Sequence, residues 1–368
     1  MRIYEVVWDF PPQIVGGLAS FSYEISSRLS SFGHDVTVVT RNTDIAEHFD
    51  HTCNFKVVRV GEEIGSAKVT KDGIDSFKQF AGQYINKNRQ NIDVLHLQDW
   101  SAVGLAKEFG DDDFKIMSTI HSIWYGDYVE VPEHTIKEEI ISSSPYVDVY
   151  TTVSRSMRQK LAGIGISDNK MCTVYNGINI NKYMPFGCVT EKNVLFFGRL
   201  EKHKGILELL KAMKIVINTD ENITLTICGR GNLSSKINTL IDNYNLQENV
   251  RYVGFVNEAE KVKMINRSAG VVIPTKYEPF GLVALEALAC NKPVIMTPHG
   301  GPREIMGNQG IVLESVDPLE IANKIIFLFE NGNSKVYGND GRNYVKNNFS
   351  WDAAAYKFIS ILKNAHST

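Results

Sequence analysis

The sequence predicts an α/β protein built of two doubly wound parallel-sheet domains that face each other across a cleft. Three observations predict it. Short β-branched runs alternate with helix-length amphipathic stretches from end to end, the pattern that builds parallel sheets covered on both faces. The alternation restarts after a Pro- and Gly-containing connector at 183–187. A chain of 368 residues, 43% hydrophobic and 22% charged, is long enough to bury two cores.

In the first half, strands are expected over 3–8, 35–40, 56–60, 94–97, 115–120, 149–153 and 171–174. Helices fall between them at 19–32, 73–88, 101–109, 133–143 and 154–162. In the second half, strands at 193–197, 224–228, 250–252, 270–273 and 293–296 alternate with helices at 206–218, 233–244, 258–266, 282–289 and 318–331. The expected domains are 1–185 and 186–349. In such folds ligands sit outside the carboxyl ends of the strands.

Composition excludes several classes. No apolar run reaches the ~18 residues of a membrane span. Residues 1–10 carry Glu5 and Asp9 within their apolar stretch, so they read as a first strand and not as a signal peptide. Cys53, Cys172, Cys188, Cys228 and Cys290 are scattered and never in C-x-x-C spacing, which reads as reduced, small apolar residues of a cytoplasmic protein. The net charge of −3 gives no reason to expect nucleic acid. It is unevenly shared: 18 basic against 24 acidic residues in 1–185 (net −6), and 21 against 18 in 186–368 (net +3). A basic half suits a phosphorylated ligand, while the acidic half is a poor match for anionic lipid.

Several familiar chemistries are missing. No strand is followed by G-x-G-x-x-G, and residues 229–232 hold only a fragment of it. Walker and G-x-S-x-G motifs are absent, as is any Cys/His spacing suited to zinc. The acidic run Asp111, Asp112 and Asp113 sits in a polar turn and reads as a solvated loop. His96, near Asp99, reads as structural.

Three segments remain as candidates for a site. Gly16 and Gly17 precede a helix expected to open near Ser20, where backbone amides and the helix N-terminus favour an anion. The run VLFFGRLEKHK at 194–204 delivers Gly198 and Arg199 to a strand end, with Lys204 at the start of the next helix. That is a fork and a point charge suited to a diphosphate, with Lys202 and His203 left as a solvated loop. The run EPFGLVALE at 278–286 sets a Pro/Gly turn before an apolar helix, aiming the amides of Phe280, Gly281 and Leu282 at a ligand. Glu278 precedes that turn. Glu286 lies on an otherwise apolar helix, where a carboxylate is costly unless it is hydrogen-bonded, and a ribose would supply such a partner; a structural ion pair is the other reading. His121 closes the strand at 115–120, at its ligand-facing end.

In this order, these residues resemble family-4 retaining glycosyltransferases of the GT-B fold, with two facing Rossmann-like domains. The resemblance runs through Gly16–Gly17, VLHLQDW at 94–100, TIHS at 119–122, TTVS at 151–154 and VYNGI at 174–178. It continues through FGRL at 197–200, ICGRG at 227–231, VGF at 253–255, the E-x7-E segment, GGPRE at 300–304 and a last helix opened by Ser350 and Trp351. It implies a donor nucleotide-diphospho-sugar on the second domain and an acceptor on the first, with residues 350–368 crossing back onto the first. Arg199 and Lys204 would bind the diphosphate and Glu286 the ribose. Glu278 and the Phe280–Leu282 amides would grip the sugar, Gly17 would approach the phosphates, and His121 would bond the sugar. Arg230 and Phe255 lie in the stretches expected to wall the base. Many relatives carry H-x-H-D where this chain has His96, Leu97, Gln98 and Asp99.

The expectation is a metal-independent hexosyltransferase that needs no cofactor. UDP-glucose or UDP-N-acetylglucosamine is slightly preferred over GDP-mannose, and the acceptor is a hydroxyl on a glycan, lipid-linked or small molecule. The alternatives are a nucleotide-sugar epimerase, a non-catalytic partner subunit and a glycogen-synthase-like glucosyltransferase.

Overall fold

The computed structural model describes residues 1–12, 16–43, 47–62, 69–124, 126, 129–187, 191–297 and 299–364. Cys188, and residues 13–15 of the first glycine loop, lie outside the described residues. The chain divides into two units, Met1–Gly177 joined by the segment from Trp351 onward, and Ile178–Ser350.

The first unit holds a parallel sheet of β1 (Arg2–Val7), β2 (Asp35–Arg41), β3 (Lys56–Val60), β4 (Val94–Gln98), β5 (Lys115–Ile120), β6 (Val149–Thr152) and β7 (Met171–Thr173). Its order is β3-β2-β1-β4-β5-β6-β7, with Ile3 registered against Val36 on one side and Val94 on the other. The chain therefore reverses its direction of growth between β1 and β4. The second unit repeats the plan with β8 (Asn193–Phe197), β9 (Thr224–Cys228), β10 (Val250–Gly254), β11 (Gly270–Ile273), β12 (Val294–Met296) and β13 (Ile311–Val312). Their order is β10-β9-β8-β11-β12-β13, with the reversal between β8 and β11. Two Rossmann-like sheets thus stand where the alternation of the sequence puts them. In each, the crevice at the reversal point, outside the strand ends, is where doubly wound folds take ligands.

Each unit has its own core. In the second, Val194, Ile227, Leu209 and Leu210 pack with Ile321 and Ile325 of the helix Pro318–Phe329. In the first, Ile3, Val38 and Met117 pack with Phe21 and Ile25 of the helix Gly17–Ser31. Trp351, Ala355, Phe358 and Leu362 of the last helix, Trp351–Asn364, complete that core.

Some expected boundaries change, each for a local reason. The first helix opens at Gly17 rather than near Ser20, because Gly16, in extended backbone, is already its N-cap. The stretch 101–109 is two short helices, Trp100–Val103 and Ala106–Phe109. Between them Leu105 and Lys107 donate to the carbonyls of Ala102 and Gly104 in tight i→i+3 bonds that interrupt the α ladder. Ile178–Tyr183 belongs with the second unit because Arg342 clamps it: Nη1 donates to Tyr183 O at 2.6 Å and Ala289 O at 2.9 Å, and Nη2 to Ile180 O at 2.9 Å. Cys53, Cys172, Cys228 and Cys290 are free thiols. Among the described residues no helix is long and apolar enough to cross a membrane.

Candidate active site

At the reversal point of the second sheet the segments following β8 and β11 meet. Lys204 Nζ lies 2.8 Å from Glu278 Oε2, with both side chains largely shielded. Backbone sets this pair up. Gly205, at φ +72°, starts the helix Ile206–Thr219, and a Cβ there would come within 1.8 Å of Pro274 O. Only glycine lets the turn holding Lys204 sit this close to the end of β11. Lys276 N then donates to His203 O at 2.7 Å, tying the two segments together. Gly300, at φ +80°, does the same from the other side: a Cβ would meet Glu278 O at 2.2 Å.

Arg199 Nη1 lies 3.4 Å from Glu201 Oε1, and His203 Nδ1 lies 3.1 Å from Glu201 Oε2. Burial works to raise the Glu201 carboxyl. The His203 bond and the charges of Arg199, His203 and Lys204 outweigh it and hold the group below its ordinary range. His203 is correspondingly not the solvated residue expected: burial, aided by Lys204 and Arg199, lowers its pKa against the Glu201 bond. Lys202 is exposed, as expected. Glu201 was missed by reading only the cations of the run; an acid set between Arg199 and His203 was the available signal.

The helix Leu282–Ala289 has Gly281 as its N-cap, at φ +102°, with Phe280 buried beneath it. Its first amides have no acceptor within the helix, so this end carries partial positive charge. Further along, Glu286 is 7% exposed. Lys261 Nζ lies 2.6 Å from its carboxylate, and the Tyr183 hydroxyl donates to Oε1 at 3.0 Å. Lys261 also stands 4.6 Å above the Phe197 ring. Here the structural ion pair is realised, and neither Lys261 nor Tyr183 was a candidate. Lys261 occupies an inward position of the amphipathic helix Glu258–Arg267, beside Val262 and Ile265, and a cation at such a position was the sign. The Tyr183 hydroxyl, buried between Glu286 and Glu258, has its pKa driven far up by desolvation and by both carboxylates.

Just past the ends of β9 and β10, the Arg230 guanidinium lies 5.4 Å from the Phe255 ring centroid, and Phe255 is 61% exposed. Gly198 N donates to Cys228 O at 3.1 Å, closing the end of β8 onto that of β9.

Gly16, Gly17 and His121 belong to the first unit, at the ends of β1 and β5. His121 is nearly buried; its Nε2 lies 3.0 Å from Gln98 Oε1 and its backbone N donates to Asp99 Oδ1 at 3.3 Å. Burial, with the charge of His96 behind it, pushes the imidazole down to about 3, so it is neutral at physiological pH. His96 is fully buried and bonded to Thr119. Asp112 of the acidic turn pairs with Arg89.

Residues 188–351 match the family described as glycosyl transferases group 1, and residues 15–182 the one described as glycosyltransferase family 4. An uncharacterized glycosyltransferase of Methanocaldococcus jannaschii is 28% identical, over 99% of this chain and 98% of its own. Sucrose-phosphate synthase from Thermosynechococcus elongatus superposes with a TM-score of 0.86 at 21% identity, covering 100% of this chain and 99% of that one. Anabaena HepE, solved in complex with UDP and glucose, gives 0.81 at 17% identity, covering 99% of each.

Proposed function

Since this chain belongs to the family-4 glycosyltransferases of the GT-B fold, we propose that it is a retaining, metal-independent hexosyltransferase. The donor is a nucleotide-diphospho-sugar, of the UDP-glucose or UDP-N-acetylglucosamine type ahead of GDP-mannose. The acceptor is a hydroxyl of a glycan, a lipid-linked sugar or a small molecule. The carrying observation is that two cations stand at the reversal point of the second sheet, Lys204 paired with Glu278 and Arg199 with Glu201. The UDP preference draws support from HepE, whose structure holds UDP and glucose.

Breaking the bond from the anomeric carbon to the diphosphate leaves an oxocarbenium-like sugar and a leaving group that gains negative charge. Arg199, Lys204 and the N-terminus of the helix Leu282–Ala289 stabilise that charge. Glu278 holds Lys204 before the donor arrives; once the phosphate takes the cation, the carboxylate is released to accept a sugar hydroxyl. Glu286, already oriented by Lys261 and Tyr183, offers its remaining lone pairs to the ribose. The acceptor oxygen attacks the face that the diphosphate leaves, and its proton passes to a diphosphate oxygen, so the configuration is retained without a protein nucleophile.

A thermal-shift panel of UDP, GDP, ADP and their common sugars tests the donor. A ligand at 100 times its Kd stabilises a fold by about 2.7 kcal/mol, and UDP with its sugars is expected to shift the melting temperature most. A shift with ADP-glucose alone would favour the glycogen-synthase-like reading, and no shift with any nucleotide would sink the proposal. Activity is expected to survive EDTA. Full loss that Mg²⁺ or Mn²⁺ restores would mean the two cations do not suffice. The product's anomeric configuration, read by NMR, decides between retention and inversion.

A further inference from the structure

Beneath His121 runs a chain of buried polar groups that the proposed reaction does not use directly. Gln98 Oε1 lies 3.0 Å from His121 Nε2, and Gln98 Nε2 donates to Glu5 Oε1 at 3.2 Å. The other oxygen of Glu5 accepts from Ser26 Oγ at 2.9 Å. Glu5, Ser26 and Gln98 are all fully buried, on β1, the first helix and β4. The second N–H of Gln98 faces His96 Nδ1 at 3.5 Å, while His96 Nε2 lies 2.7 Å from Thr119 Oγ1, which pairs with Thr151 Oγ1 at 2.6 Å.

The directions of these bonds are not free. With Glu5 ionised, its carboxylate only accepts, which turns the amide nitrogen of Gln98 toward Glu5 and its oxygen toward His121. That oxygen accepts, so His121 Nε2 must carry the ring proton. A neutral imidazole has one N–H, which leaves the lone pair on Nδ1. Phe21 meets the ring edge-to-face at 4.8 Å and fixes its plane.

We propose that Glu5 and Gln98 are positioning residues that lock His121 in the Nε2–H form, making Nδ1 a pure acceptor that takes a substrate hydroxyl and cannot hold a phosphate oxygen. The hydroxyl part rests on the proposed glycosyl transfer; the locked tautomer does not.

The test is a long-range ¹H–¹⁵N correlation spectrum of histidine-labelled protein at pH 7 without ligand, with His121 assigned by its loss in His121→Gln. One tautomer, protonated at Nε2, is expected. A proton on Nδ1, or a fast average of the two forms, would overturn the proposal, since either means that the Gln98 amide is reversed or free. Glu5→Gln, which lets the amide turn over, and Gln98→Met, which removes it at similar volume, are each expected to give a mixed or inverted tautomer. A single Nε2–H form persisting in a folded variant would show that the chain does not set it. Because the spectrum is read without substrate, its outcome is separate from that of the nucleotide panel. Retention of wild-type kcat/KM by a variant with a scrambled tautomer would remove the hydroxyl-accepting role.

Discussion

Lys204 and Arg199 carry the same formal charge, yet their removal should cost the protein differently. Lys204 pairs with Glu278, whose side chain is 20% exposed and so keeps access to water when the lysine is gone. Arg199 faces Glu201, whose side chain is 3% exposed and which relies on the His203 bond and then on the charge of Arg199, with Lys204 contributing least. Both Lys204→Ala and Arg199→Ala are expected to lower turnover about 10²-fold or more, the effect of losing a group aimed at developing charge. Only Arg199→Ala should also lower the melting temperature noticeably, because it strips a buried carboxylate of one of its partners. Steady-state rates alongside melting curves check both statements, and wild-type rates in both variants would refute the assignment.

His121 makes a prediction of the opposite kind, about pH. Its folded pKa, about 3, lies below the ~6.5 of an unfolded histidine. The unfolded chain therefore binds the proton first as pH falls. The neutral form's contribution is complete above pH ~6.5 and is lost progressively below it. Between about pH 5.5 and 4 the wild type should lose about 1.4 kcal/mol of stability per pH unit more than His121→Gln. Urea titrations at three pH values measure the difference; parallel losses would mean that His121 is already charged in the fold.

Helices and strands show how far the sequence speaks and where it stops. The strands Asn193–Phe197 and Thr224–Cys228 and the helix Leu282–Ala289 fall on the residues their patterns mark. A buried parallel strand is a bounded apolar run, and a Pro/Gly turn announces the helix. The two-residue strand Ile311–Val312 has too few residues to show any period, and the helix Gly301–Met306 starts with Gly and Pro, which read as a turn. In the site, charged residues at strand ends were readable because doubly wound folds put ligands there. Their partners were harder to read: Tyr183 matters through contacts set by tertiary packing, while Glu201 and Lys261 were marked only by a charge out of pattern, Glu201 between Arg199 and His203 and Lys261 at a position that periodicity assigns to the core.

Lys261 therefore tests what its helix does for the neighbouring one. Lys261 and Glu286 side chains are each 9% exposed. Lys261→Met should cost about 3–5 kcal/mol by leaving a buried carboxylate uncompensated, and Lys261→Met with Glu286→Leu should recover most of it. Urea unfolding of the three proteins gives the comparison; a single-variant loss under about 1 kcal/mol would mean that Tyr183 and solvent already satisfy Glu286.

The path of the chain has its own energetic consequence. After the second unit is finished, the helix Trp351–Asn364 supplies apolar side chains to the core of the first. Phe358 is fully buried and meets the His96 ring at 4.7 Å; Arg28 of the first helix reaches Asp352 at 3.3 Å. The exposed ion pair contributes little, so the apolar contacts decide whether the helix stays. Truncating a fully buried phenylalanine costs about 3–5 kcal/mol through lost transfer energy and the cavity left behind. Phe358→Ala should therefore weaken the first unit although it lies about 180 residues beyond the rest of that unit, which ends at Gly177. Native-state hydrogen exchange locates the loss. Amides of β1, β2, β4 and β5 are expected to exchange faster in Phe358→Ala, while those of β8, β9 and β11, built on a separate core, keep their protection. Equal acceleration in both sheets would show that the two cores unfold as one cooperative body, and no acceleration in the first would show that it stands without its last helix.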